Sequence, residues 1–222
     1  MYSVIAHDLR SPMASMKMLL NTIMMSVEKD KIDPDIFDML EMSNKTSEEV
    51  FSLLDNLLKW TKSQLGKLTV IPQKLDISGL ADGVVEVMNS VAEVKHIKLI
   101  RTDHESFFVY VDIEMIKSIL RNLISNAVKF SNPDSEIKVG IKAEDGKVIV
   151  SVTDSGKGIK KEDQHKLLKD STHFTTYGTN SEEGSGLGLL LCRDFARKNG
   201  GELWFESEEN LGSVFSFSLP QL

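Results

Sequence analysis

The stretch EIKVGIKAEDGKVIVSVTDSGKGI, residues 136–159, reads as two short strands, 136–143 and 147–153, around Glu144-Asp145-Gly146. Runs rich in valine and isoleucine that end in turn residues favour strands, and an acidic-glycine turn is a common hairpin connection. Strands joined so closely pair antiparallel. Working outward, further strand-like runs stand at IKLIRT (97–102), FFVYV (107–111), GELWFES (201–207) and SVFSFSL (213–219). Helical stretches fall at about 78–93, 113–130, 161–169 and 186–199. Adjacent strands are expected to pair antiparallel with several helices on one face. The fold class is therefore α+β: an α/β sandwich with a mixed, largely antiparallel sheet over residues 74–222.

The chain before this region has a different texture. In residues 1–28, Ile5, Leu9, Pro12, Met16, Leu19 and Ile23 recur at alternating spacings of four and three, the period of a helix. Asp33 and Pro34 fit an N-cap and a first-turn proline. A second helix is then expected at about 34–66, with Ile36, Leu40, Val50, Leu54 and Leu57 on a heptad-like seam that Ser43 and Ser47 weaken. Two amphipathic helices alone enclose no core, so the spacing predicts pairing with a second copy as a four-helix bundle. Gly66 and Pro72 break the pattern. The expected organisation is a hairpin at 1–66, a linker at 67–73 and a second domain at 74–222.

Bulk properties narrow the function. A formal charge of −7 in 222 residues argues against a non-specific nucleic-acid binder, which needs a basic face. No run of about 18 apolar residues is present, so no spanning helix is expected and no direct membrane contact. A single cysteine, Cys192, excludes an intrachain disulfide and suits a reducing compartment. No signal peptide is visible, and the sequence reads as a cytoplasmic portion of a longer chain.

Four clusters carry chemistry. In HDLRSP (7–12), His7 falls opposite the apolar stripe, with Ser11 one turn later and Arg10 beside it. A histidine exposed on a helix is ordinarily decoration. Here Asp8 can hold the proton of one imidazole nitrogen and leave the other nucleophilic. Pro12 cannot donate to the carbonyl of Asp8, so the helix is expected to loosen there. In RNLISNAVKFSN (121–132), Asn122, Asn126 and Lys129 share a helical face, and an asparagine carbonyl is a hard oxygen ligand suited to magnesium. In DSGKGI (154–159), Gly156 and Gly158 would let backbone approach a flat ligand, and Asp154 could accept a proton from an exocyclic amine. In GSGLGLLLC (184–192), three glycines open a helix and offer N–H groups to phosphate oxygens. Neither a P-loop nor a dinucleotide fingerprint fits, because no Gly-Lys-Ser/Thr follows and Leu189 replaces the third glycine.

In this order, HDLRSP, NLISNAVKFS, DSGKGI and GSGLGL resemble the H, N, G1 and G2 boxes of sensor histidine kinases. The resemblance covers nearly the whole chain. It implies a homodimeric phosphotransfer hairpin and an ATP-binding domain of the Bergerat type. The reaction implied is phosphorylation of a histidine from ATP with Mg²⁺, then transfer to an aspartate on a response-regulator receiver domain. By that resemblance His7 is the phosphoacceptor, Asp8 its activating acid, Asn126 the metal ligand and Asn122 its catalytic helper. Lys129 lies near the phosphates and Asp154 reads adenine. Gly156, Gly158, Ile159, Gly184, Ser185, Gly186, Leu187, Gly188 and Ser213 complete the nucleotide set, Ser213 standing where the family often has threonine. The chain departs from the pattern twice: its lid offers only Phe174 for the usual phenylalanine box, and Ser11 replaces a threonine or asparagine. An ATPase clamp of the topoisomerase or chaperone kind would share residues 74–222 but leave HDLRSP without a task. Arg121 also stands where such a clamp would be expected to place its catalytic acid. A docking module with a silent kinase is opposed by Asn126, Asp154 and the intact glycines.

Overall fold

The computed structural model describes every residue except 1, 29–30, 104, 168–177 and 180–185, with residues 2–10 and 49 described by backbone alone. It divides into two compact units, Met1–Leu68 and Thr69–Leu222.

The first unit is a hairpin of α1 (Tyr2–Ser26) and α2 (Pro34–Gln64). Asp33 accepts a hydrogen bond from the Asp35 N–H at 2.9 Å, and Pro34 fills the first turn of α2. Helix α1 runs through Pro12 without a break, so the expected loosening does not interrupt it. Polar residues along α1 satisfy themselves: Ser15, Thr22 and Ser26 each donate to the carbonyl four residues back. Gly66 ends α2 in a left-handed conformation (φ +65°), with its N–H on the Ser63 carbonyl. A two-helix unit covers little of its own stripe. Met16, Leu19, Ile23, Ile36 and Val50 are exposed, and among the described residues of this unit only Leu58 is a fully covered large apolar side chain. The weak middle of the seam is visible too, since the Ser47 hydroxyl and the Asn44 carbonyl oxygen are buried without a partner.

The second unit contains β1 (Gln73–Asp76), α3 (Ile77–Glu93), β2 (Lys98–Arg101), β3 (Phe108–Val111) and α4 (Ile113–Phe130). It continues through β4 (Glu136–Glu144), β5 (Lys147–Asp154), α5 (Lys161–Gln164), α6 (Gly188–Lys198), β6 (Leu203–Glu208) and β7 (Gly212–Pro220). Five strands form one sheet in the order β2-β4-β5-β7-β6, while β1 and β3 make a separate antiparallel pair. Neighbours in the larger sheet are antiparallel except β2 and β4, which run parallel. The sheet is thus mixed and largely antiparallel, as expected, with β2 and β4 supplying the parallel part. The connection from β2 to β4 carries α4, and a helical crossover returns the chain in the same direction. Helix α5 ends at Gln164 with a turn to residue 167, shorter than expected, and α6 begins at Gly188.

Helix α4 packs between α3 and α6 and against β4 and β5. Ile116, Ile119, Leu120, Leu123 and Ile124 are essentially inaccessible, as are Ile137, Val139, Val148 and Val150 beneath them. Asp112 caps α4, accepting from the Glu114 and Met115 N–H groups at 3.1 Å. Its other oxygen accepts from the Ile71 N–H at 2.9 Å, which places the segment after Leu68 with the second unit. Cys192 is buried on α6, and burial pushes its thiol far above the ordinary range, so it stays protonated.

Candidate nucleotide-binding site

The surface of α4 organises the candidate site. Asn122, Asn126 and Lys129 lie on one face at intervals of four and three residues. The Asn122 amide nitrogen donates to the Ser118 carbonyl at 2.9 Å, which leaves its carbonyl oxygen for other work. That oxygen sits against the start of α6: a Cβ on Gly188 would stand only 2.8 Å from it. Two sequence motifs more than sixty residues apart therefore meet, and the glycine is what lets them. Asn126 is half-buried, and its side chain has no hydrogen-bond partner among the described residues. The Lys129 ammonium lies 5.0 Å from the centroid of the Phe130 ring.

At the other end of α4, the DSGKGI loop closes on the helix terminus. The Lys157 N–H donates to the Phe130 carbonyl at 3.1 Å, and a Cβ on Gly156 would be 2.2 Å from that oxygen. Gly158 adopts φ +60°, and a Cβ there would be 1.9 Å from the Glu208 carbonyl. The atoms that close on them are the chain's own carbonyls, so the fold demands them before any ligand does. Ile159 is half-buried, and its carbonyl accepts from the Gln164 side chain at 3.0 Å. Between Asn122 and Phe130, α4 gives a floor about 12 Å long at about 1.5 Å per residue.

Asp154 ends β5 opposite Ser213 on β7 and is 7% exposed. Burial raises its pKa, because a charged carboxylate loses water there. The N–H groups of Gly156 and Ser213 oppose that rise, the former at 2.9 Å. An acid with a raised pKa adds stability while protonated and loses that contribution as pH rises through its folded pKa. Above that folded pKa the charged Asp154 is therefore a cost to folding.

Gly186 is left-handed (φ +68°), Leu187 is buried, and Gly188 opens α6 with no side chain capping the helix. The first amides of α6 have no partner within the helix, and the positive end of the helix dipole lies there. Gly184, Ser185 and Phe174 lie outside the described residues. The backbones of His7 and Asp8 are helical on α1, their side chains lie outside the described atoms, and they belong to the other unit.

Sequence reasoning missed two polar devices. Lys95 is 8% exposed, and its ammonium donates to the Val128 and Lys129 carbonyls at 3.1 Å and to the Thr179 hydroxyl at 2.9 Å. A cation thus closes the C-terminal end of α4 and ties Thr179 to it. Thr179 adds its own bonds to the Lys129 and Ser131 carbonyls. An isolated lysine is exposed by default, so no sequence signal could mark it. The second device is Ser207, whose hydroxyl lies 2.9 Å from that of Ser213. Only the strand register reveals it.

What fold and site define is a nucleotide-binding sandwich joined to a helical hairpin. Residues 111–222 match the histidine kinase-, DNA gyrase B- and HSP90-like ATPase family, and the chain belongs to it. ATP follows as the nucleotide. Similarity also runs through the hairpin. The adaptive-response sensory kinase SasA of Crocosphaera subtropica is 32% identical over 98% of this chain and 58% of its own. The sensor protein EvgS of Escherichia coli K12 is 26% identical over 98% of this chain and 18% of its own. The chain thus spans 58% of the length of the first relative and a smaller part of the second. Among solved structures, the nucleotide-free catalytic domain of histidine kinase ThkA is 31% identical, with a TM-score of 0.59 over 68% of this chain and 96% of that one. Full-length ShkA, solved with AMPPNP, shares the fold at 21% identity and a TM-score of 0.75, over 99% of this chain and 45% of that one. Hairpin and sandwich together make a sensor histidine kinase catalytic core. No helix among the described residues is long and apolar enough to cross a membrane.

Proposed function

We propose that this chain transfers the γ-phosphoryl group of ATP to His7, and from there to an aspartate on a response-regulator receiver domain. The observation that carries the reading is the presence, in one chain, of a nucleotide site built on α4 and of HDLRSP on a separate two-helix unit. Residues 1–66 would serve as the dimerisation and phosphotransfer hairpin, 67–73 as linker and 74–222 as the ATP-binding domain. The exposed seam of Met16, Leu19 and Ile23 supports a homodimer through the hairpin. No role with nucleic acid or in direct membrane contact is assigned.

The residues divide the work. The glycine loop that leads into α6, at Gly186, Leu187 and Gly188, holds phosphate oxygens, and Lys129 adds charge from the facing helix. The Asn126 carbonyl oxygen fits a hard divalent cation that keeps several waters, since the amide has no partner among the described residues. Asn122, fixed by Ser118, keeps the glycine loop beside it. Bound magnesium would supply neutralisation of the phosphate charge. Asp154 and Ser213 face the base. Asp8 holds one imidazole proton of His7 so that the other nitrogen attacks phosphorus while ADP departs. Incubation with γ-labelled ATP tests the whole reading: acid-labile label on the protein is expected, whereas ATP turnover without it would favour an ATPase clamp.

Base selectivity is a sharper expectation. Asp154 accepts from the N6 amine of adenine, whereas guanine presents the acceptor O6 and leaves a buried carboxylate unpaired, at a cost of roughly 1–3 kcal/mol. ADP should bind at least about tenfold tighter than GDP, which needs only about 1.4 kcal/mol. Asp154→Asn should erase much of this preference, because an amide can present a donor to O6. Calorimetry with both nucleotides decides it, and equal affinities in the native protein would remove the adenine reading.

Asn126→Asp should weaken productive MgATP binding far more than folding, because a second anion beside the phosphates repels them. Autophosphorylation rates at low MgATP, set beside melting curves, separate the two effects. Unchanged values of both would make Asn126 an ordinary surface residue.

A further inference from the structure

Ser207, Ser213 and Asp154 lie in a row across three neighbouring strands: β6 pairs Ser207 with Ser213, and β7 pairs Ser213 with Asp154. The Ser207 hydroxyl is 2.9 Å from the Gly212 carbonyl and 2.9 Å from the Ser213 hydroxyl. Two oxygens at that separation need a proton between them. A carbonyl has none, so the single proton of Ser207 goes to Gly212. The contact between the two serines must then use the proton of Ser213. Proton counting thus fixes a direction, from Ser213 to Ser207 to Gly212. The Ser213 oxygen is left with lone pairs only.

We infer that Ser207 is a positioning residue for base selection, holding Ser213 as an obligate acceptor beside Asp154. The inference rests on the adenine-site reading above and deepens it. With its carboxylate ionised, Asp154 is also acceptor-only. The two groups therefore present a floor that matches donors, such as an exocyclic amine or a water that donates to it. A carbonyl on the base finds no proton there. Ser207 is itself held in place. Its carbonyl accepts from the Gln164 side chain at 2.9 Å, and the same amide group bonds to Ile159, so α5 braces the end of β6. Gly212, left-handed at φ +111°, lies against the Asp154 carbonyl, where a Cβ would come within 2.0 Å. The acceptor for the Ser207 proton therefore has little room to move.

Removing Ser207 should release the Ser213 proton to swing toward the base. In Ser207→Ala, the preference for ADP over GDP should narrow by about three- to tenfold, since one freed hydroxyl can now donate to O6. Ser207→Thr keeps the hydroxyl and should restore the native ratio. The Ser213→Ala variant has no hydroxyl to direct, so adding Ser207→Ala to it should change the ratio by less than about twofold. Calorimetric titration of the full chain with ADP and GDP reads all five proteins, the native chain included, and a ratio is insensitive to any unfolded fraction. A native ADP preference that survives unchanged in Ser207→Ala would overturn the inference alone, as would the same narrowing on the Ser213→Ala background. Equal affinities for ADP and GDP in the native protein would overturn the adenine site, and this inference with it.

Discussion

His7→Gln is expected to abolish acid-labile labelling from ATP while leaving ADP affinity within about twofold, a difference of some 0.4 kcal/mol. The expectation follows from where the two halves of the chemistry lie. His7 is on α1 of the unit Met1–Leu68, whereas Asn122, Asn126, Lys129, Asp154, Ser213 and the start of α6 all belong to Thr69–Leu222. Glutamine keeps the length and polarity of the side chain and is a good helix former, so α1 should persist. It offers no ring nitrogen to attack phosphorus. The chain holds five histidines, so residual acid-labile label in this variant would transfer the role to another and sink the assignment. A drop in ADP affinity by tenfold would instead make His7 part of the nucleotide site.

Gly158→Ala should be the most damaging single-methyl change in the candidate site. Two costs add. The left-handed backbone penalises any Cβ by about 1–2 kcal/mol. The added carbon would also stand 1.9 Å from the Glu208 carbonyl, which no side-chain rotation can relieve because the clashing atom is backbone. Either the loop or the end of β6 must shift, and both hold the surroundings of Asp154 and Ser207. A loss of about 3 kcal/mol or more is expected, a large share of a typical stability of about 5–15 kcal/mol. ADP affinity should fall with it. Gly146 provides the control, since it is equally left-handed (φ +72°) but has nothing within 4 Å of its notional Cβ. Gly146→Ala should cost only about 1–2 kcal/mol. Denaturant midpoints of the two variants make the comparison, and equal losses would show that the contact at Gly158 relaxes freely.

Much of the fold was legible because burial imposes a period. The helices at 34–64, 77–93 and 113–130 fell close to their expected spans, and Asp33 with Pro34 marked a start that the structure keeps. The hairpin of β4 and β5 was readable from its turn. By contrast, β1 escaped notice because Gln-Lys-Leu-Asp carries one apolar residue and only half-buries its last two positions. The parallel pairing of β2 with β4 was hidden for another reason. Alternation tells which face of a strand is covered, never which strand lies beside it. The same limit applies at the site. Asn122, Asn126 and Asp154 could be named from their motifs, yet the contact of Asn122 with Gly188 exists only once α4 and α6 pack. Lys95 and Ser207 are ordinary residues in sequence, made special by carbonyls that other elements bring to them.

The glycines of the DSGKGI loop carry a consequence for how such a site can change over time. Gly156 and Gly158 are required by the Phe130 and Glu208 carbonyls, whatever ligand the domain takes. A lineage that drifted toward another nucleotide could not explore side chains at those positions without first losing its folded state. Variation in ligand preference is therefore channelled to positions where the fold already accommodates a side chain, Asn126 and Ser213 among them. A protein descended from this one could exchange its base or its metal and still display the same glycine pattern, so the pattern marks the architecture more durably than the ligand.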